Sequence, residues 1–162
     1  MERIILGIDP GYARCGWGVI AIRGSQTRLV DYGCIETTKD EELPQRLAML
    51  NQQLEIILEK YKPDEIAIEE LFFSKAVSTA LLVAHARGVI YLRAVHHCGH
   101  IFQYKPNQVK QAVTGVGNAD KKQMQEMVRI ILGLRSVPKP DDAADALAVA
   151  ICHGAFHRGK GS

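Results

Sequence analysis

The sequence predicts an α/β fold: a five-stranded mixed sheet with helices on both faces. Three observations carry that prediction. Residues 4–8, IILGI, are apolar without a polar break, as a central strand covered on both faces requires. Two more strand-like segments follow at once, and apolar residues at helical spacing begin only near residue 43. Beyond that point strands and helices alternate, giving the order βββαβαβααα, which a sheet between two helical layers satisfies.

Each element has a local reason. Segments 16–22 and 28–36 read as strands, and the Gly24-Ser25 turn between them makes a meander. Leu43, Leu47, Leu50, Leu54, Ile57 and Leu58 share one helical face, so 43–61 is an amphipathic helix that Pro63 stops. EIAIE, 65–69, is a short buried strand, and 75–95 a long helix apolar over much of its circumference. A fifth strand covers 100–104. A short helix follows around Val109 to Val113, and GVGNA is a loop. Met124, Met127, Val128 and Ile131 mark a helix ending near Gly133, and PKP at 138–140 introduces the last helix, 142–156.

A chain of 162 residues is expected to form one domain, here 1–157 with a short C-terminal tail, 158–162. Its apolar fraction, 47%, suffices for a core, yet no apolar run approaches the roughly 20 residues a membrane span needs. MERIILGIDPG enters a strand without the pattern of a secretion signal. Cys15, Cys34, Cys98 and Cys152 show no CxxC spacing, which argues against a zinc site or a disulfide framework and fits a reducing, cytoplasmic setting. Cys15 has no His or Asn signature beside it, so a thiol nucleophile is not expected.

Charge is segregated. Residues 36–70 hold ten acids against four Lys/Arg, whereas 74–135 hold nine Lys/Arg against two acids. Such a split suggests a face that meets a polyanion. Several acids sit where acids are unusual. Asp9 ends the first strand, Glu69 and Glu70 end the fourth, and Asp142 and Asp145 open the last helix three residues apart, on one face. If strands one and four are neighbours, their C-terminal ends bring Asp9 beside Glu69, where open α/β sheets favour ligands. Carboxylates so close repel, and they take up protons or recruit cations. Hard, oxygen-seeking Mg²⁺ suits them, and two ions about 3.5–4 Å apart can clamp the attacking and leaving oxygens of a phosphodiester. Gly11, Gly16 and Gly18 would then clear side chains from the path of a bulky anionic substrate. The plainer alternatives are loop solvation for an acid at a strand end, and helix capping for Asp141 or Asp142. Pattern alone does not choose Glu69 over Glu70, or Asp142 over Asp141.

GIDPG, AIEELFF, QVKQAVTGVGNADKKQ and DDAADALAVA, in that order across nearly the whole chain, resemble the RuvC-type Holliday junction resolvases. The resemblance implies a ribonuclease H-like fold, a homodimer, and Mg²⁺-dependent resolution of four-way DNA junctions by paired symmetric nicks, with Mn²⁺ able to substitute. It implies two ions per subunit held by Asp9, Glu69, Asp142 and Asp145. Some family members carry histidine at the position of Asp142. The resemblance also brings a branch-migration motor complex into view as a partner. The C-terminal HGAFHRGKGS is shorter than the tail of some relatives, so contacts made by such a tail are not carried over.

Around the carboxylates, the DNA-contact set is Phe72, Phe73, Lys75, Lys110, Lys121 and Lys122. Phe72 would stack on or wedge between bases, and Phe73 would support it or lie in a dimer contact. Lys121 and Lys122 open a helix after a glycine loop, a seat for phosphate, and Lys105 extends the track. Ala76, Ala80, Ala84 and Gly88 form a stripe that seats the long helix on its sheet or meets its twin across a dyad. His96, His97 and His100 fit no zinc spacing. His153 and His157 lie about two and three turns beyond Asp145, too far to reach the same ion. An actin-like phosphotransferase shares the GID-G turn but needs a second domain. A non-catalytic junction-binding module would not need four carboxylates.

Overall fold

The computed structural model describes residues 1–70 and 76–157. Strands β1 (Arg3–Asp9), β2 (Arg14–Arg23) and β3 (Gln26–Glu36) form the expected antiparallel meander, turning at Gly24 with φ of +60°. Helix α1 (Leu43–Tyr61) has proline in its first turn and stops at Lys62, whose left-handed conformation precedes Pro63. Strand β4 (Glu65–Glu69) runs parallel to β1, and β5 (Phe102–Tyr104) parallel to β4, giving the sheet order β3-β2-β1-β4-β5. Between them lies α2 (Val77–Cys98), and α3 (Pro106–Thr114), α4 (Lys121–Ile131) and α5 (Asp141–Phe156) follow. The element order is the predicted one. β2 starts two residues earlier than the sequence pattern suggested, β5 keeps only three residues, and α2 continues to Cys98 before Gly99 ends it.

Alternation along the strands sorts two cores. Ile5, Ile20, Ile22 and Ala67 pack with α3, α4 and α5, while Leu6, Ile8, Val19, Ile66 and Ile68 pack with α1 and α2. β1 is apolar without a break because both of its faces are covered. By the same alternation Asp9, two residues beyond Gly7, and Glu69, two beyond Ala67, face α5. No helix among the described residues is long and apolar enough to cross a membrane.

The glycines near the first turn do not serve the purpose read from the sequence. A Cβ on Gly16 would lie 2.0 Å from the Asp142 carbonyl oxygen, and one on Gly18 would lie 2.5 Å from Leu147 Cδ2. At Gly7 the clash would be with Ala146 O at 2.1 Å. These positions clear space for α5, not for substrate. Gly11 instead tightens the turn after β1, since its Cβ would meet Arg14 O at 2.1 Å. α5 answers with small buried residues, Ala143, Ala146 and Ala150, so its main chain rests directly on β1 and β2.

Candidate active site

Three elements converge at the C-terminal end of β1. Asp9 pairs with Gly16 across the β1–β2 ladder, and Gly16 is where the main chain of Asp142 rests. Ile8 pairs with Ile68, so Asp9 and Glu69 are each one step beyond the last rung, on neighbouring strands. Asp142 and Asp145 project from the first turns of α5 above them. Glu69 and Asp145 line one cleft of about 280 Å³, joined by Lys110, Asp120, Lys121 and Met124.

The electrostatics of this end are those of crowded like charges. Burial raises the Glu69 carboxyl above its ordinary value; the charge of Asp145 adds to the rise, and Lys110 and Arg87 work against it. Asp145 is raised too, first by burial, with Lys121 opposing and Asp142 and Asp141 adding repulsion. The Cys15 thiol is pushed up by burial and then by Asp9, so it is no nucleophile. Asp142 is drawn to Arg14 Nε at 3.2 Å. Asp141 pairs with Lys121 at 3.0 Å and Lys139 at 3.5 Å, and these cations hold its carboxyl low. Asp141 thus acts as a clamp on Lys121, apart from the raised pair.

The donor set fits a hard divalent cation: oxygen ligands only, half-buried, and two of them protonating more readily than usual because burial and neighbouring carboxylates outweigh the pull of Lys110, Arg87 and Lys121. As the side chains stand, no group of three or more His, Cys, Asp or Glu among the described residues is drawn to metal-ligand separation. The Asp142 carboxylate is instead paired with Arg14.

Of the predicted DNA contacts, Lys110 and Lys121 line the carboxylate cleft, and Lys105 is exposed at the start of α3. Lys122 does not reach it. Lys122 lines a separate hollow with Thr114, Val116 and Met127. The start of α4 is not an open phosphate seat either, because Asp120 caps it, accepting from Gln123 N at 2.8 Å. Lys121 lines the cleft with its ammonium paired to Asp141. Phe72, Phe73 and Lys75 lie outside the described residues, as does the tail 158–162. The small-residue stripe on α2 is split: Ala80 is buried, while Ala76, Ala84 and Gly88 are exposed. His96 is exposed, His97 Nε2 lies 3.1 Å from the Pro63 carbonyl, and His100 packs edge-on against Phe102.

Three features escaped sequence reasoning. Arg14 and Lys139 flank the acids of α5, and Arg87 of α2 reaches the main chain of Glu69. At the opposite end of α5, His153 is fully buried, bonded to Tyr104 and Glu65. The only sequence signal for that last network was a histidine within an apolar helix.

The comparisons with known proteins agree on one family. The family profile described as crossover junction endodeoxyribonuclease RuvC matches residues 5–153. A protein of that name from Petrotoga mobilis is 52% identical over 155 residues, covering 96% of this chain and 95% of its own length. Another, from Alkaliphilus oremlandii, is 55% identical over 150 residues, covering 93% and 92%. The solved structure of T. thermophilus RuvC in complex with Holliday junction substrate superposes with a TM-score of 0.90 at 36% identity, covering 96% of this chain and 95% of that one. The yeast mitochondrial Holliday junction resolvase Ydc2, 18% identical with a TM-score of 0.65, covers 94% of this chain and 79% of its own and shares the fold.

Proposed function

The chain belongs to the RuvC family of crossover junction endodeoxyribonucleases, and from that premise we propose that the carboxylate cleft is where it cuts a four-way DNA junction. It is a Holliday junction-resolving endonuclease of recombination and repair, with a ribonuclease H-like fold. The observation that carries the site assignment is the raised, half-buried pair Glu69 and Asp145, held beside the end of β1 by an α5 seated on glycines. Asp9, Glu69, Asp142 and Asp145 are the residues that would hold Mg²⁺, two ions per subunit, with Mn²⁺ able to replace it. A metal held there would supply an activated water for in-line attack on phosphorus and stabilise the departing 3′ oxygen.

The chain's own groups prepare that step. Asp9 lies between the strand end that carries Glu69 and the strand on which the main chain of Asp142 rests, and would hold the metal together with them. Lys110 and Lys121 line the cleft with positive charge, where a backbone phosphate of the scissile strand would lie. Arg14 pairs with Asp142 and would yield that carboxylate to a divalent cation.

A four-way junction has two-fold symmetry, so paired nicks require two such clefts. The outward face of α2 suits a homodimer. Val77 is 75% exposed, Leu81 60%, Leu92 58% and Val95 46%. With Ala84 and Gly88 between them they form one apolar stripe at helical spacing, and a Cβ on Gly88 would meet nothing within 4 Å.

The test is a synthetic four-way junction incubated with the protein and Mg²⁺, its products sized strand by strand. Symmetric paired nicks are expected from the wild type. Asp9→Asn is expected to bind the junction in a gel shift and leave it uncut. Cutting by Asp9→Asn at the wild-type rate would refute the assignment.

A further inference from the structure

Burying a guanidinium is unfavourable unless its N–H groups find fixed acceptors. Arg87, on the inner face of α2, is only 5% exposed. Its Nη1 donates to the main-chain carbonyl of Glu69. Its Nη2 donates to Tyr91 Oη and lies 3.4 Å from Gln103 Oε1. Tyr91 Oη donates in turn to Gln103 Oε1 at 2.9 Å, and the guanidinium lies 5.3 Å from the Tyr91 ring centroid. One side chain thus joins α2, the end of β4 and β5.

The place it grips is where the sheet has least hold. The β1–β4 pairing ends at Ile8 and Ile68, so Glu69 has no rung to β1. On its other side β5 is three residues long, and the contact continues only through Glu69 opposite Tyr104 and the Glu70 N–H to Tyr104 O bond of 2.7 Å. A strand end held by so few bonds frays readily. A planar fork with fixed donor angles sets both the distance and the orientation of the carbonyl it holds, which a lysine or an apolar side chain cannot do.

We propose that Arg87 is a positioning residue for junction cutting: it locks the main chain of Glu69 so that the carboxylate stays in register with Asp9 and Asp145, and so sets the affinity of the cleft for its divalent ion. The proposal rests on Glu69 being a metal ligand. Groups that orient metal ligands through one intervening bond typically change metal affinity or activity about 10- to 100-fold when removed.

The experiment compares wild type, Arg87→Lys and Glu69→Gln. Mn²⁺ binding without DNA is read by electron paramagnetic resonance, junction affinity by gel shift in Ca²⁺, single-turnover cutting at saturating junction, and stability by thermal melting. Arg87→Lys is expected to keep junction affinity within about twofold, to bind Mn²⁺ about 10-fold more weakly and to cut about 10-fold more slowly, with excess Mn²⁺ restoring part of the rate. Folded Arg87→Lys with wild-type Mn²⁺ affinity and rate would overturn the proposal. Should Arg87→Lys not fold, Tyr91→Phe combined with Gln103→Leu frees the guanidinium from its outer anchors. Weakened Mn²⁺ binding in that double variant supports the proposal, and unchanged binding overturns it. Glu69→Gln separates the two ideas: if it cuts like wild type, the ligand assignment itself is wrong; if it is inactive while the Arg87 variants are normal, only the positioning role fails.

Discussion

Strand β4 carries a glutamate at each end, four residues apart and facing the same helix. At its start, Glu65 receives a bidentate grip from Arg3, with Nε at 3.0 Å and Nη2 at 2.7 Å, and a further bond from His153 Nε2. In the tautomer this network selects, the Tyr104 hydroxyl donates to His153 Nδ1 at 2.7 Å. Burial pushes Glu65 up, but Arg3 and then His153 outweigh it and hold it below its ordinary value. At the other end, burial and then the charge of Asp145 raise Glu69 above its ordinary value. One end of the α5–sheet contact is electrostatically complete, and the other is left with excess negative charge. At Glu65 the nearby positive groups outweigh burial, whereas at Glu69 and Asp145 they do not, and that imbalance favours a cation there.

The largest effect should separate these two ends outright. Glu69→Gln is expected to lower cutting by about 10³-fold or more, since a metal ligand is lost, while removing repulsion raises the melting temperature. Glu65→Gln is expected to do the reverse: a loss of about 3 kcal/mol in stability from breaking a buried pair, with cutting per folded molecule retained. Thermal melts and single-turnover rates on the two variants decide the matter, and equal effects on both would erase the contrast. A smaller effect probes the helix that links the ends. Gly16→Ala adds a methyl where the Asp142 carbonyl oxygen stands 2.0 Å away. It should cost about 1–3 kcal/mol in overpacking and about 100-fold in rate, through displacement of the Asp142 end of α5.

The last effect, which leaves cutting untouched, is a pH dependence at the satisfied end. Burial lowers His153 from 6.5 to about 4, against the pull of Glu65. Between those values the unfolded chain binds a proton that the folded chain refuses, so stability falls as pH drops from about 6.5 towards 4, by at most about 3 kcal/mol. Glu65, held low in the fold, contributes stability above its unfolded value, and that contribution is also lost in acid. Denaturant unfolding across this range should show the decline in wild type and a flatter curve in His153→Leu.

Most of the fold was legible because it is written locally. Alternating or unbroken apolar runs, Pro63 and the PKP at 138–140 marked the elements and their order, while the end of the long helix was read three residues short of Cys98. The four carboxylates stood out as acids at the ends of elements, and the ordered motifs separated Glu69 from Glu70 and Asp142 from Asp141. Strand alternation gives the first choice a physical basis, since Glu69 shares the face of Ala67 that α5 covers. What was not legible depends on partners far along the chain. Arg14 meets Asp142, and Glu65 meets His153 across 88 residues. A run of glycines signals that something comes close without saying what, and here it is a helix. The lysine pair at 121 and 122 read as one patch, but helix geometry sends the two into different hollows.

The most direct measurement is a crystal soaked in Mn²⁺, with anomalous density mapped over the whole chain. Density is expected between Asp9, Glu69 and Asp145, and none beside Glu65 and His153. A cleft without an ion at saturating Mn²⁺, or an ion at the Glu65 end instead, would contradict the assignment of the carboxylates.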